Sequence, residues 1–421
     1  MRAWRAIIGL VLACATIGAA RAQTPPVSAA AVAPMPGSQL TVTLVTFGLG
    51  DEVFERFGHN ALWFHDATTL EDTAYHWGLF SFNDPGFLMR FLTGETKYWM
   101  GGEDARLRIE FERSRGRPVT LQRLNLTPSQ ALALRNFVRW NEREANKFYR
   151  YDYFADNCST RLRDALDGVL GGAIRRATDT ALTKLSYRRE SVRLTDGAPP
   201  VQLGIDIALG RPADVPLTKW QSFFIPMRLR DALRDVRIAG ADGAEVPLVA
   251  QEQAVQLPPD AKPIAEAQLA PRLAVRFLAL GLVLAALVAG LRVMMLTRRS
   301  AAWGLALFGS VWSLLCGVLG VVLLLAWVAT KHVFWASNEN VLLLTPFSLA
   351  LVVLIPAAIL GRRRERAARM VASIVAGMGL IAAVLAMIPG GQENRAVVVL
   401  LLPVHLALAW AVALPRPHTT A

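Results

Sequence analysis

Five apolar stretches crowd the last part of this 421-residue chain, at about 274–296, 302–329, 341–360, 370–388 and 396–414. Each is long enough to cross the hydrocarbon core of a bilayer, since about 20 helical residues span its roughly 30 Å. A soluble helical bundle shows apolar stripes rather than five nearly unbroken apolar runs in succession. Residues 272–421 are therefore expected to form a membrane domain of five transmembrane helices.

The start of the chain fixes a direction for that domain. Arg2 and Arg5 precede an apolar run from Ala6 to Ala19, and Ala20-Arg21-Ala22 has the small-x-small form of a cleavage site, so residues 1–22 read as a signal peptide. The formal net charge of +12 follows the same geography. Three of its arginines lie in the leader. Arg292, Arg298, Arg299, Arg362, Arg363, Arg364, Arg366, Arg369 and Arg416, offset by Glu365, flank the spans on one side. The remainder is close to neutral, so the basic balance marks topology and implies no nucleic-acid partner. The reading is a multi-pass protein of a bacterial inner membrane, with its soluble part in the periplasm and its C-terminus in the cytoplasm.

Between leader and spans the composition is that of a globular domain. A Pro/Ala-rich tether covers residues 23–39, the domain itself 40–257, and a linker 258–271. Leu40–Phe47, Gly58–Phe64 and Ala74–Phe80 are strand-like, with a polar turn at Asp66–Asp72, and Arg106–Phe111 and Val119–Leu124 are further strand candidates. Thr127, Pro128 and Gln130 form a capping box that opens a helix running to about Ala145. A second helix begins near Asn157, carries Leu162, Ala165, Leu166, Val169 and Leu170 on one face, and stops at Gly171-Gly172. The mixture is α+β.

Of the three cysteines, Cys14 lies in the leader, Cys316 in an apolar span, and Cys158 alone in the soluble domain. A single thiol in an oxidising compartment has no disulfide partner, and this one stands where a helix begins, a place that favours a thiolate. Cys158 is thus a candidate nucleophile. His59 and His76 lie on what read as neighbouring strands, where one imidazole takes the thiol proton and the other orients it. Gly58 before His59 admits a close neighbour. Each of these residues also has a plainer use, as a small buried thiol or a satisfied histidine. His65 shares the strand of His59 and ranks below it. His59, His65, His76 and Cys158 together lack the tight spacing of a zinc site, so neither a metal nor a cofactor is expected. Asp152 and Asp156 are expected to cap the helix and hold Arg161.

The strings Arg56-Phe57-Gly58-His59-Asn60-Ala61 and Tyr151-Asp152-Tyr153-Phe154-Ala155-Asp156-Asn157-Cys158-Ser159-Thr160-Arg161 together resemble the signature of the Lnb N-terminal periplasmic domain family. Tyr75-His76-Trp77-Gly78-Leu79-Phe80-Ser81-Phe82 is similar to its Y-x-Y-G-x-F-x-F stretch, and Phe223-Phe224-Ile225-Pro226 to its later F-x-P segment. The likeness covers most of residues 40–230. His76 stands where that family often has asparagine or aspartate. The resemblance implies a circularly permuted papain-like domain, with histidine before cysteine in the chain. It also implies lipoprotein N-acyltransferase activity: an acyl chain passes from a phospholipid to Cys158 as a thioester, then to the N-terminal amine of a diacylglyceryl-cysteine lipoprotein. Phospholipid, lipoprotein and membrane lipid are the partners this implies.

Substrate contacts are expected at Asn157 beside the thiol, and at Trp335, Asn338, Asn340, Gln392 and Asn394 in the outer loops, which would floor an apolar path from bilayer to sulfur. His405, inside the last span, is either functional or bonded to a neighbouring helix. Trp220–Leu233, aromatic and basic, either rests on the membrane or belongs to the core. Two other activities suit the same residues: a cysteine amidase or peptidase acting on cell-wall peptides, and a non-enzymatic scaffold that binds lipoproteins.

Overall fold

The structure, a computed structural model, describes residues 35–264, 266, 273–361 and 364–414. The leader with Cys14, most of the tether, part of the linker, and Arg362, Arg363 and Arg416 lie outside the described residues.

The N-terminal body is organised by β1 (Leu40–Phe47), β2 (His59–Asp66), β3 (Glu71–Leu79), β4 (Tyr98–Asp104), β5 (Val119–Leu124), β6 (Phe148–Tyr149), β7 (Arg237–Ala239), β8 (Glu245–Pro247) and β9 (Val249–Ala254). Seven of these form one sheet in the order β6-β4-β3-β2-β1-β5-β9, antiparallel throughout, while β7 and β8 pair separately. Its helices are α1 (Phe87–Thr93), α2 (Ala105–Ser114), α3 (Pro128–Asn141), α4 (Cys158–Val169), α5 (Ala173–Thr178), α6 (Tyr187–Leu194), α7 (Pro199–Ala208) and α8 (Pro226–Leu233).

The period-two rule divides the sheet between two cores. Val42, Leu44, Leu62, Phe64, Tyr75 and Trp77 face α3 and α4, meeting Leu134, Val138, Leu162 and Leu166. Val45, Phe47, Ala61 and Ala74 face the other way, toward Ala105 and Ile109 of α2. Trp220, Phe223 and Leu229 are buried in the first core, so the Trp220–Leu233 segment is a core element and not a membrane-surface one.

Two local readings of the sequence are corrected. Arg106–Phe111 is helix, not strand: Asp104 caps α2 by accepting the Leu107 N–H, and the alternating Leu107 and Phe111 are exposed while Ala105 and Ile109, four apart, face the sheet. α3 stops at Asn141 rather than Ala145, because the Asn141 amide turns to the Asn146 carbonyl and accepts Trp77 Nε1–H at 2.7 Å. The capping box of Thr127 and Gln130 is formed.

The C-terminal body contains α9 (Leu273–Met294), α10 (Arg299–Ala329), α11 (Ser348–Ile359), α12 (Glu365–Leu385) and α13 (Arg395–Ala413). Four of them, α9, α10, α12 and α13, are long and apolar enough to cross a membrane. The fifth expected span, 341–360, is broken: Glu339–Leu342 is a 3₁₀ turn, the next five residues are non-helical, and α11 has only 12 residues. Pro346 has no N–H for a helix and disfavours one before it. Irregular backbone in such a place must be buried and hydrogen-bonded. Gly320 of α10 lets it in, since a Cβ there would lie 2.1 Å from the Leu344 carbonyl oxygen. His405 Nε2–H donates to the Leu343 carbonyl at 3.0 Å, which gives that histidine its structural use.

Candidate active site

β2 and β3 pair only from Leu62–Tyr75 outward to Asp66–Glu71. Toward the other end both strands continue, to His59 and to Leu79, without pairing to each other. A bulge between Trp77 and Leu79, with Gly78 at φ 89°, helps β3 diverge. Two imidazoles bridge the opening: His59 Nε2 lies 2.8 Å from His76 Nδ1. By alternation both belong to the α2 face, where His59 stacks on Phe47 and the guanidinium of Arg108 lies over the same ring.

The sequence reading missed the next member. His76 Nε2 lies 3.0 Å from Glu103 Oε1 on β4, and Arg108 stands 3.6 Å from the same oxygen. Glu103 precedes the α2 cap by one residue, in a stretch read as neither strand nor site; the neighbouring Gly101-Gly102 hid β4. Burial acts to raise the Glu103 carboxyl, but the His76 hydrogen bond and the Arg108 charge win and hold it below its ordinary value. A carboxylate can only accept, so His76 Nε2 carries a proton. With that proton on Nε2, the Nδ1 lone pair of His76 is the acceptor for a His59 Nε2–H donor. What remains is His59 Nδ1, a lone pair with no hydrogen bond among the described residues.

Cys158 comes from the opposite face. Asn157 caps α4 by accepting the Ser159 and Thr160 N–H groups, completed by Thr160. Its amide nitrogen donates to the Tyr153 and Phe224 carbonyls, so the side chain is structural and buried, not a substrate contact. Asp156 does hold Arg161, at 2.6 Å and 2.7 Å, whereas Asp152 caps the Phe154–Ala155 turn and not the helix. The Cys158 side chain packs against Gly78, where a Cβ would approach it to 3.4 Å.

The Cys158 thiol lies beside the backbone N–H groups of Asn60 and Ser159, the latter donating to the Asn157 side chain. Among the described residues no hydrogen bond joins the sulfur to an imidazole. Burial pushes the thiol up to about 11, against the pull of those N–H groups and of Arg117. Burial, with His76, Arg108 and Arg117 beside it, drives His59 well below its ordinary value. Both shifts disfavour the charged forms, and burial thus works against the helix-stabilised thiolate expected from sequence. Tyr149, on β6, is buried; burial and the nearby Cys158 raise its phenol against the pull of Arg161, 3.7 Å over its ring, and of the Gly78 N–H, and among the described residues its hydroxyl proton has no acceptor.

The remaining candidates lie elsewhere. His65 Nδ1 meets Asp72 at 2.9 Å, toward the far end of β2. Among the described residues no cluster of three or more His, Cys, Asp or Glu has metal-site geometry. The outer-loop amides do not line a path to the sulfur; they are buried in a seam between the two bodies. Asn338 donates to the Ile207 and Ala208 carbonyls, Asn340 to Asp206 and Ile207, and Gln392 to Leu209. Asn394 donates to Asn340 at 2.8 Å. The last turn of α7 leaves carbonyls without helical partners, and these amides satisfy them. Trp335 stacks on His332, ring centroids 4.2 Å apart.

Comparison with curated proteins and with solved structures gives no match. Two family signatures do match, the Lnb N-terminal periplasmic domain over residues 30–191 and the Lnb transmembrane domain over residues 273–414. They cover the split sheet with its histidines and thiol, and all five helices of the C-terminal body. The chain therefore belongs to the Lnb family, whose members are membrane enzymes of lipoprotein modification.

Proposed function

We propose that this protein is a cysteine-dependent lipoprotein N-acyltransferase, on a circularly permuted papain-like domain in which the strand histidine precedes the helix cysteine. The observation that carries the mechanism is the hydrogen-bond chain Glu103–His76–His59, which leaves a lone pair on His59 Nδ1 one residue from the amide beside the Cys158 sulfur.

In the first half-reaction the thiol gives its proton to His59 Nδ1 as the sulfur attacks a phospholipid ester carbonyl. The C–O bond breaks, and the glycerol oxygen takes that proton to leave as lysophospholipid. The Asn60 N–H and the Tyr149 hydroxyl are the donors available to the tetrahedral oxyanion. In the second half-reaction the α-amine of a diacylglyceryl-cysteine attacks the thioester. The C–N bond forms, the C–S bond breaks, and His59 carries the amine proton back to sulfur. His76 and Glu103 act as positioning residues, holding the tautomer throughout.

We also read α11, with its non-helical lead-in, as a fifth crossing, which puts the C-terminus in the cytoplasm and the site at the outer leaflet. The lead-in supplies the length that 12 helical residues lack. The test is incubation of the full-length protein in vesicles holding a phospholipid with an alkyne-tagged acyl chain. The reading requires a hydroxylamine-labile acyl group on Cys158, lost in Cys158→Ala and chased onto a diacylated lipopeptide amine. A wild-type protein that releases free fatty acid or cleaves peptide, with no amide formed, sinks it in favour of a hydrolase.

A further inference from the structure

The α1 helix has the composition of a membrane segment although it belongs to the soluble body. Of its seven residues, Leu88 is 67% exposed, Met89 64% and Leu92 46%, and Phe82 in the preceding loop is 68% exposed. Soluble surfaces seldom concentrate large apolar side chains in this way.

The position of α1 explains the exposure. The exposed apolar side chains of α10 continue to Val328, one residue before that span ends. Two residues beyond the span, the Lys331 N–H donates to the Thr93 carbonyl at 2.8 Å, and the His332 ring donates to the Phe91 carbonyl at 2.8 Å. Arg150 clamps the junction from the side, donating to the Gly94 and Lys331 carbonyls. Gly94 is required there, since a Cβ would come within 3.0 Å of the His332 nitrogen. The apolar face of α1 is thus continuous with a membrane span, while Lys331 and Glu95 pair at 2.7 Å at its margin, as groups at headgroup level do.

An aromatic file joins this helix to the thiol. Phe87 stacks on Phe80 at 5.6 Å, Phe80 meets Tyr98 at 5.1 Å, and Tyr98 stacks on Tyr151 at 4.4 Å. Tyr151 reaches Gly78, whose other neighbour is Cys158. Phe54 closes over Phe80 from outside.

We propose that α1, with Phe82 and Phe54, is embedded in the outer leaflet and is the portal through which a phospholipid acyl chain enters toward Cys158. Leaving the bilayer for water costs a chain about 0.8 kcal/mol per CH₂, and an apolar file starting inside the leaflet removes that cost. The embedding stands on exposure and continuity alone; the portal rests on the acyl-transfer reading.

Two measurements on the full-length protein in phosphatidylglycerol–phosphatidylethanolamine vesicles decide it. Nitroxides at Leu88→Cys and Met89→Cys, in a Cys158→Ala, Cys316→Ala background, should collide with oxygen and be shielded from a water-soluble nickel chelate. Asp242→Cys, in an exposed turn, is the aqueous reference. Nickel collision at 88 and 89 equal to that at 242 overturns the embedding. Met89→Glu and Leu92→Glu should each slow thioester formation from vesicle phospholipid about tenfold. Acylation by a short-chain, water-soluble phospholipid should stay within about twofold of wild type. Equal loss with both donors, or no loss with either, overturns the portal. Wild-type protein forming no thioester from either donor overturns it together with the acyl-transfer reading, and leaves the nitroxide result to judge the embedding by itself.

Discussion

Removing the acceptor at position 76 is the sharpest test of the hydrogen-bond chain. In His76→Ala the His59 Nε2–H, which now meets His76 Nδ1 at 2.8 Å, faces nothing. An unsatisfied buried donor costs about 1–3 kcal/mol, a factor of roughly 5–150 in rate if the cost falls on the productive tautomer. Where a triad orienter is replaced so that the imidazole adopts the wrong tautomer, the loss reaches about 10⁴ in a serine protease, which sets the upper bound. His76→Asn places a carbonyl oxygen in the same direction and restores the acceptor, so it should recover most of the rate, to within about tenfold of wild type. Both variants also remove a neighbour that lowers the His59 pKa. The acid limb of the rate profile should therefore move to higher pH in both. The assay is single-turnover thioester formation on Cys158 from vesicle phospholipid between pH 5 and 9, with thermal melting in detergent as the folding control. A folded His76→Ala within twofold of wild type, or His76→Asn no faster than alanine, refutes the chain.

Other expectations follow from the same coordinates. With burial pushing the Cys158 thiol up to about 11, its alkylation should be slow and should climb about tenfold per pH unit from pH 7 to 9 without levelling off; a midpoint near the ordinary cysteine value in a pH titration of alkylation would show a solvated thiol instead. Arg188, buried between Asp206 at 2.8 Å and Asp214 at 2.7 Å, leaves two buried carboxylates unpaired when changed to Met; stability should fall by about 3–5 kcal/mol, read by chemical denaturation, and a neutral result would mean the pairs are hydrated. Gly320→Val should lower the melting temperature in detergent, because its Cβ overlaps the Leu344 carbonyl by more than any rotamer can relieve; overpacking of this kind costs about 1–3 kcal/mol, and an unchanged melting temperature would place the broken segment elsewhere. A reporter fused after Ala421 should be active only in the cytoplasm; periplasmic activity contradicts five crossings.

What the sequence disclosed followed local rules. The strands over Leu40–Phe47 and near His59 and His76 were legible from alternation, and the helix carrying Cys158 from its cap and its apolar spacing. Alternation misled at Leu107, Ile109 and Phe111, where two exposed residues of a helix and one that faces the sheet happened to fall at strand spacing. Glu103 was invisible for a different reason. It reaches His76 through the β3–β4 register, a relation between distant segments that no window of sequence contains. Of the outer-loop amides, Asn338 and Asn340 have as partners the carbonyls at the end of α7, some 130 residues earlier, and only the docked fold reveals them. The broken fifth span shows the limit of hydropathy. Residues 341–360 are apolar enough to cross as one helix, yet Pro346 and the close approach at Gly320 go with a segment broken into a 3₁₀ turn and a 12-residue helix.

The seam has a consequence for what can reach the thiol. Three side-chain amides, those of Asn338, Asn340 and Gln392, with the Arg189–Glu393 pair at 2.6 Å and the Gly210 N–H to Phe334 carbonyl bond at 2.7 Å, rivet the soluble body to the outer loops. A body fastened in this way cannot swing outward to search. On the acyl-transfer reading, the altitude of Cys158 above the bilayer becomes a constant of the fold and works as a depth gauge. An acceptor amine would then qualify by how far its own lipid anchor lets it rise. The few bonds between a diacylglyceryl group and the N-terminus it carries would then be the dimension being measured, so that folded regions farther along the acceptor need no recognition at all.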